Sequence, residues 1–146
     1  MRPVFEHVSP PLVRLPLSGI TVHAARGMRG RPAFEVFAGD VLADISVINS
    51  VGSPLVRGAW RGRQPGGGAW AVAWGQLPPG CSDVEVVFGG RATGGPAQKI
   101  IIRNMFWAAE LRGGARTVTA RCGDGLERIR LRRFRYTSGR PRPVEW

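Results

Sequence analysis

The chain has 146 residues and 43% hydrophobic content, enough for one packed domain and too little length for two ordinary ones. Its net charge is +11, and 20 of its 21 basic residues are arginine, with Lys99 the exception. No run approaches 18 apolar residues, which excludes a membrane-spanning helix, and the apolar content excludes a wholly disordered chain.

Residues 1–18 read as an extended arm. Pro3, Pro10, Pro11 and Pro16 each remove a backbone donor and disfavour helix. The segment carries Glu6 and His7 and has no apolar run of signal-peptide length, so a chain that starts naturally at Met1 is expected in the cytoplasm. Ile20 to Ala24 is the first strand, followed by strands over Ala33 to Phe37 and Val41 to Val47, split by Gly39-Asp40. In the last of these, Val41, Ala43, Ile45 and Val47 alternate with Leu42, Asp44 and Ser46. A turn at Asn49 to Pro54 leads to a strand over Leu55 to Trp60, and Arg61 to Gly68 reads as a glycine-rich loop. Trp70, Val72 and Trp74 then share one strand face, and Val84, Val86 and Phe88 share another opposite Glu85 and Val87. Gly89 to Pro96 reads as a flexible loop. Lys99 to Arg103 and Phe106 to Leu111 are strands joined by a tight turn at Asn104. Thr117 to Arg121 follows, and Asp124-Gly125 is a two-residue hairpin signal, because type I′ turns need φ > 0 at both central positions. The return strand runs from Leu126 to Tyr136, and residues 137–146, with Pro141 and Pro143, form a second arm.

These features predict an all-β domain over residues 19–136, a single β-sandwich or jelly-roll-like fold of about nine or ten short antiparallel strands between two extended arms. The high count of 21 glycines and 12 prolines supports frequent turns and opposes long helices. The segments Asp83 to Phe88, Phe106 to Leu111 and Thr117 to Gly125 resemble a pattern in uncharacterised actinobacterial β-sandwich domain proteins. There a Val-x-Val-x-Phe strand precedes a Phe/Trp-rich strand and a glycine hairpin. The resemblance covers about a third of the chain. It implies the fold and a secreted or membrane-tethered setting, and it assigns no site.

The strongest charge feature is the final strand. Arg128, Arg130 and Arg132 alternate with Ile129 and Leu131, placing guanidiniums ~7 Å apart on one face. Arg132-Arg133 then breaks the alternation, which predicts a bulge, and Arg135 continues the basic run. Residues 126–146 hold seven arginines and two acids. Arg128, Arg130, Arg132, Arg133 and Arg135 are therefore the expected anion- or partner-binding set. Trp60, Trp70 and Trp74 are either core or an exposed aromatic surface for sugars or bases, and Trp146 is an arm anchor.

Catalytic chemistry finds little support. His7 lies in the arm, and His23 has no acid near it in sequence. The ten acids are scattered, with Asp40, Asp83 and Asp124 beside turns, and Asp44, Glu85 and Glu110 on strands where arginines can pair with them. Gly66-Gly67-Gly68 and Gly94-Gly95-Pro96 lack the ending of a phosphate-binding loop. Cys81 and Cys122 are either two thiols or one disulfide, and neither spacing nor the two histidines makes a metal site. No enzyme, cofactor or small-molecule substrate is expected. The expected role is a structural or interaction module of a larger assembly, self-associating or bound to another protein. Nucleic-acid binding through the arginine stripe and carbohydrate binding through the tryptophans are the alternatives.

Overall fold

The computed structural model describes residues 12–26, 30–47, 55–90, 96–137 and 140–142, with the side chains of Arg26 and of residues 135–142 left aside. Fourteen strands lie within these residues. They are β1 (Leu12–Arg14), β2 (Ile20–Arg26), β3 (Pro32–Ala38), β4 (Val41–Val47), β5 (Gly58–Arg63), β6 (Ala69–Gln76), β7 (Glu85–Gly89), β8 (Gln98–Ile102), β9 (Phe106–Arg112), β10 (Thr117–Cys122), β11 (Gly125–Arg130), β12 (Arg132–Arg133), β13 (Arg135–Thr137) and β14 (Arg140–Arg142). The all-β class expected from the glycine and proline punctuation is therefore seen directly.

The strands form three main sheets, in the orders β1-β2-β3-β4, β12-β5-β6-β9-β8 and β11-β10-β7, with β13 and β14 as a separate pair. Pairing is antiparallel except where β12 runs parallel to β5. The five-stranded sheet is central, and its composition shows why. β6 reads Ala-Trp-Ala-Val-Ala-Trp-Gly-Gln and is buried along nearly its whole length. Its Trp70, Val72 and Trp74 pack with Ile20, Val22, Phe34 and Val36 of the β1–β4 sheet. Its Ala71 and Ala73 pack with Phe88, Val118 and Ala120 of the β7/β10/β11 sheet. A strand apolar on both faces must be covered on both, so the chain builds two cores around one sheet.

Stacked aromatic rings fill the first core, while the second sets Trp107 and Phe88 among leucines and alanines. Trp60 meets Trp74 edge-on at 4.9 Å and stacks on Phe134 at 4.8 Å, while Phe34 stacks on Phe106 at 4.8 Å. Two glycines of β5 are required by this packing. Gly58 and Gly62 lie opposite Trp74 and Trp70, and a Cβ at either would run into the facing indole.

Three carboxylates, one of them buried, tie the layers together. Glu110 of β9, 2% exposed, accepts hydrogen bonds from Leu17 N (2.9 Å), Ser18 N (2.8 Å) and Ser18 Oγ (2.6 Å), fixing the β1–β2 turn over the central sheet. Asp44 of β4 accepts from Trp74 Nε1 at 2.9 Å and pairs with Arg57. Glu127 of β11 accepts from Leu55 N (2.6 Å) and Val56 N (2.9 Å), while Leu55 O accepts from Trp107 Nε1 at 3.0 Å. Cys81 and Cys122 form a disulfide that joins the β6–β7 loop to the end of β10.

Several local expectations are corrected. Leu12–Arg14 pairs with β2, so the first sheet begins inside the segment read as the N-terminal arm. The β10–β11 hairpin turns at Gly123-Asp124 rather than Asp124-Gly125, with Cys122 opposite Gly125 and φ +60° at Gly123. Glycine at the first central position suits a type II′-like turn. In the β3–β4 pair the register shifts between Val36 and Phe37 of β3, leaving Ala43 of β4 unmatched, and Asp44 and Ser46 face the core while Val41, Leu42 and Ile45 are more than 40% exposed. Asp44 is drawn inward by the indole N–H of Trp74, a partner the strand pattern alone does not reveal. The loop calls over 49–54 and 91–95 lie outside the described residues.

Candidate anion-binding site

The arginine stripe is real but shorter than its sequence pattern. Arg128 and Arg130 are exposed on the outer face of β11, opposite Thr119 and Thr117 of β10. Their neighbours Glu127 and Ile129 point inward. After Arg130 the chain leaves this sheet. Leu131 N donates to Arg116 O at 2.8 Å, Phe134 N donates to Arg61 O at 2.8 Å, and Arg132 and Arg133 pair with Trp60 and Arg61 as β12 of the central sheet. The irregularity at Arg132-Arg133 is thus a change of sheet, not a bulge. It is driven by burying Leu131 in the second core and Phe134 in the first, where Phe134 stacks on Trp60. Arg135 lies on β13 opposite Arg142, with its side chain outside the described set.

At this crossing lies a cleft of about 680 Å³. Arg61 and Arg63 enter it from β5, Arg133 from β12, and Arg116 from the segment between β9 and β10. Gly62, Ala69, Trp70, Gly114, Ala115 and Phe134 complete the wall. Among the described residues, four arginines line the space and no acidic residue does. Arg61 and Arg133 are neighbours across a parallel pair, so their backbones are ~5 Å apart, and Arg63 is ~7 Å further along its strand. Like charges set directly opposite destabilise strand pairing. Of the four, Arg63 donates Nη1–H to Gly67 O at 3.1 Å. Arg61 Nε is buried and meets no hydrogen-bond partner among the described residues.

Of the eight acids among the described residues, six are engaged elsewhere, and Asp40 and Asp124 lie at turns that do not line the cleft. Among the described residues the ion pairs are His23–Glu35, Arg57–Asp44, Lys99–Asp83 and Arg121–Glu85, the last at 4.0 Å. Glu110 accepts backbone and hydroxyl donors and not an arginine. The Lys99 ammonium, hydrogen-bonded to Asp83 at 2.7 Å, holds that carboxyl below its ordinary value, against an opposing effect of burial and with lesser help from the Val84 amide.

Trp60, Trp70 and Trp74 are fully buried, so they form core and not an exposed aromatic surface. Trp146 and His7 lie outside the described residues. His23 does have an acid: Glu35, directly opposite on β3, places Oε1 2.9 Å from His23 Nδ1. Hairpin register supplies a partner that sequence distance hides. Their row on the outer face continues to Leu12 and Ile45, which carry no catalytic group. No group of three or more His, Cys, Asp or Glu side chains able to hold a metal occurs among the described residues.

The cleft was missed in the sequence because Arg61 and Arg63 were read as loop. The signal was present: Arg61-Gly62-Arg63 continues the alternation of Gly58-Ala59-Trp60 as strand. Comparison with family models, curated proteins and solved structures finds no match to this chain.

Proposed function

We propose that this chain is a non-enzymatic interaction module on a sandwich-like scaffold, which holds an anionic partner within a larger assembly. The observation that carries this reading is the division of charge. Among the described residues most carboxylates are engaged in hydrogen bonds and ion pairs, while Arg128 and Arg130 at the β11 edge and Arg61, Arg63, Arg116 and Arg133 at the cleft beside it enter no ion pair. A domain so charged repels itself unless an anion offsets it. Arginine forks suit phosphate or carboxylate groups. The Cys81–Cys122 disulfide supports an oxidising compartment over the reducing cytoplasm. No helix among the described residues is long and apolar enough to cross a membrane.

Retention on an anionic heparin matrix tests this. The wild-type protein is expected to bind at low salt and elute with rising salt, and Arg128→Glu with Arg130→Glu to elute much earlier while keeping the fold. Passage of the wild-type protein through the matrix at low salt would sink the reading.

Self-association is the second reading. It is favoured by the outer face of the β1–β4 sheet, where Leu12, Leu42 and Ile45 are 49%, 46% and 43% exposed around the His23–Glu35 pair. Sedimentation should then show an oligomer that Leu42→Lys with Ile45→Lys dissociates. A wild-type monomer at high concentration contradicts it.

A further inference from the structure

We infer that the cleft between β5, β12 and the β9–β10 connection is a discrete site for an oligophosphate group, two or more phosphoryl units in a row. The inference deepens the anionic-partner reading and rests on it, but it assigns a concave site and a ligand chemistry where that reading assigns only a charged surface.

The wall chemistry selects the ligand class. Among the described residues, every polar side chain lining the cleft is a donor: Arg61, Arg63, Arg116 and Arg133 carry guanidinium N–H groups, and the Trp70 indole has only an N–H. These side chains offer no acceptor to a sugar or base rich in hydroxyl or amino donors. A phosphate chain offers acceptors alone. All four cations are arginine, whose planar fork meets a phosphoryl group with two parallel hydrogen bonds. A short chain of phosphates offers acceptors to arginines of all three segments at once. The space, about 680 Å³, is in the usual range for a small-ligand site and exceeds one phosphate. It is also set apart from the stripe, because Arg128 and Arg130 lie on the outer face of another sheet and do not line it.

Arg133 is placed beside Arg61 by the sheet change, which the Leu131 and Phe134 contacts hold. The arginines are therefore gathered before any ligand arrives, as a preorganised site requires.

Isothermal titration with sodium tripolyphosphate, in phosphate-free buffer at low salt, tests the assignment. Wild-type protein should bind one equivalent, and inorganic phosphate at least tenfold more weakly. Arg116→Ala with Arg133→Ala, both exposed positions, should weaken tripolyphosphate at least tenfold. Gly114→Leu is a charge-neutral block at a lining position, where an added Cβ meets no atom within 4 Å. It should reduce tripolyphosphate binding at least tenfold and leave heparin retention unchanged. Arg128→Ala with Arg130→Ala should do the reverse. A nucleoside triphosphate run in parallel separates sources: equal affinity assigns the free phosphate chain, and tighter binding assigns one carried on a nucleoside, both within the proposal. Equal loss from the cleft and β11 variants, or equal affinity for phosphate and tripolyphosphate, would mean diffuse attraction and overturn the site. No tripolyphosphate binding with heparin retention intact overturns the site alone, and loss of both overturns the anionic-partner reading with it.

Discussion

Replacing Glu110 by glutamine probes the strongest internal tie in the fold. The carboxylate is buried and takes three bonds, two of them from Ser18. A glutamine oxygen in the place of Oε2 keeps both Ser18 bonds but turns them from charged to neutral, a loss of about 0.5–1 kcal/mol each. Its amide group then faces the Leu17 N–H donor to donor, losing one bond and leaving donors unpaired, about 1.5–3 kcal/mol more. Relief from burying a charge offsets part of this. The expected net loss is about 3 kcal/mol, which for a chain of this length lowers Tm by roughly 6–12 °C. Thermal and urea unfolding followed by tryptophan fluorescence measure it. Ser18→Ala alone should lose about 1 kcal/mol, and the double variant should fall short of additivity, because the two side chains share one network. A loss under about 1 kcal/mol for Glu110→Gln, with full additivity, would refute the claim that this carboxylate anchors the β1–β2 turn.

Other expectations follow from the same contacts. Reducing the Cys81–Cys122 bond, or Cys122→Ser, frees a 41-residue span and should lower stability by up to about 4 kcal/mol on the chain-entropy account, read as a Tm drop in reductant absent from the variant. Gly62→Ala drives a methyl into the Trp70 ring and should destabilise by about 1–3 kcal/mol, whereas Gly66→Ala, which meets nothing within 4 Å, should be nearly neutral. Lys99→Met removes the main cause of the lowered Asp83 pKa, so NMR titration should find that carboxyl nearer about 3.9, its ordinary value. Because the folded-state value is depressed, the Lys99 contribution is present above about pH 4 and lost as pH falls through the folded value; the wild-type advantage over the variant should therefore vanish in acid, and it should be small throughout because Asp83 is 67% exposed. Trp60, Trp70, Trp74 and Trp107 are buried, so most indole emission should be blue-shifted and resistant to iodide, and a fully quenchable spectrum would contradict the core.

Strand existence was largely legible, since period-2 alternation marks it whichever sheet a strand joins. Trp70, Val72 and Trp74 were grouped correctly on one face. What alternation cannot say is which face meets the core, or whether both do. β4 shows the first problem: its apolar set is turned out because Asp44 is held by Trp74 and Arg57. β6 shows the second, where alanine between tryptophans marks not a solvent face but a second core. The sheet change at Arg132-Arg133 was visible only as a break in pattern, and its destination depends on Phe134 finding Trp60, a contact of long sequence separation. The cleft was hidden for the same reason. Arg61, Arg116 and Arg133 are far apart in sequence; the parallel pairing of β12 with β5 sets Arg133 beside Arg61, and the bond from Leu131 N to Arg116 O brings in the third.

The central claim is that unneutralised arginines engage an anionic partner. Its most direct measurement is the salt dependence of affinity for a single-stranded oligonucleotide used as a generic polyanion. If the six arginines of the cleft and the β11 edge (Arg61, Arg63, Arg116, Arg133, Arg128 and Arg130) all neutralise phosphates, log K should fall with log salt at a slope of about −4, and Arg128→Ala with Arg130→Ala should reduce it by about 1.4. A slope near zero, or no binding at about 50 mM salt where such contacts are strong, would contradict the account.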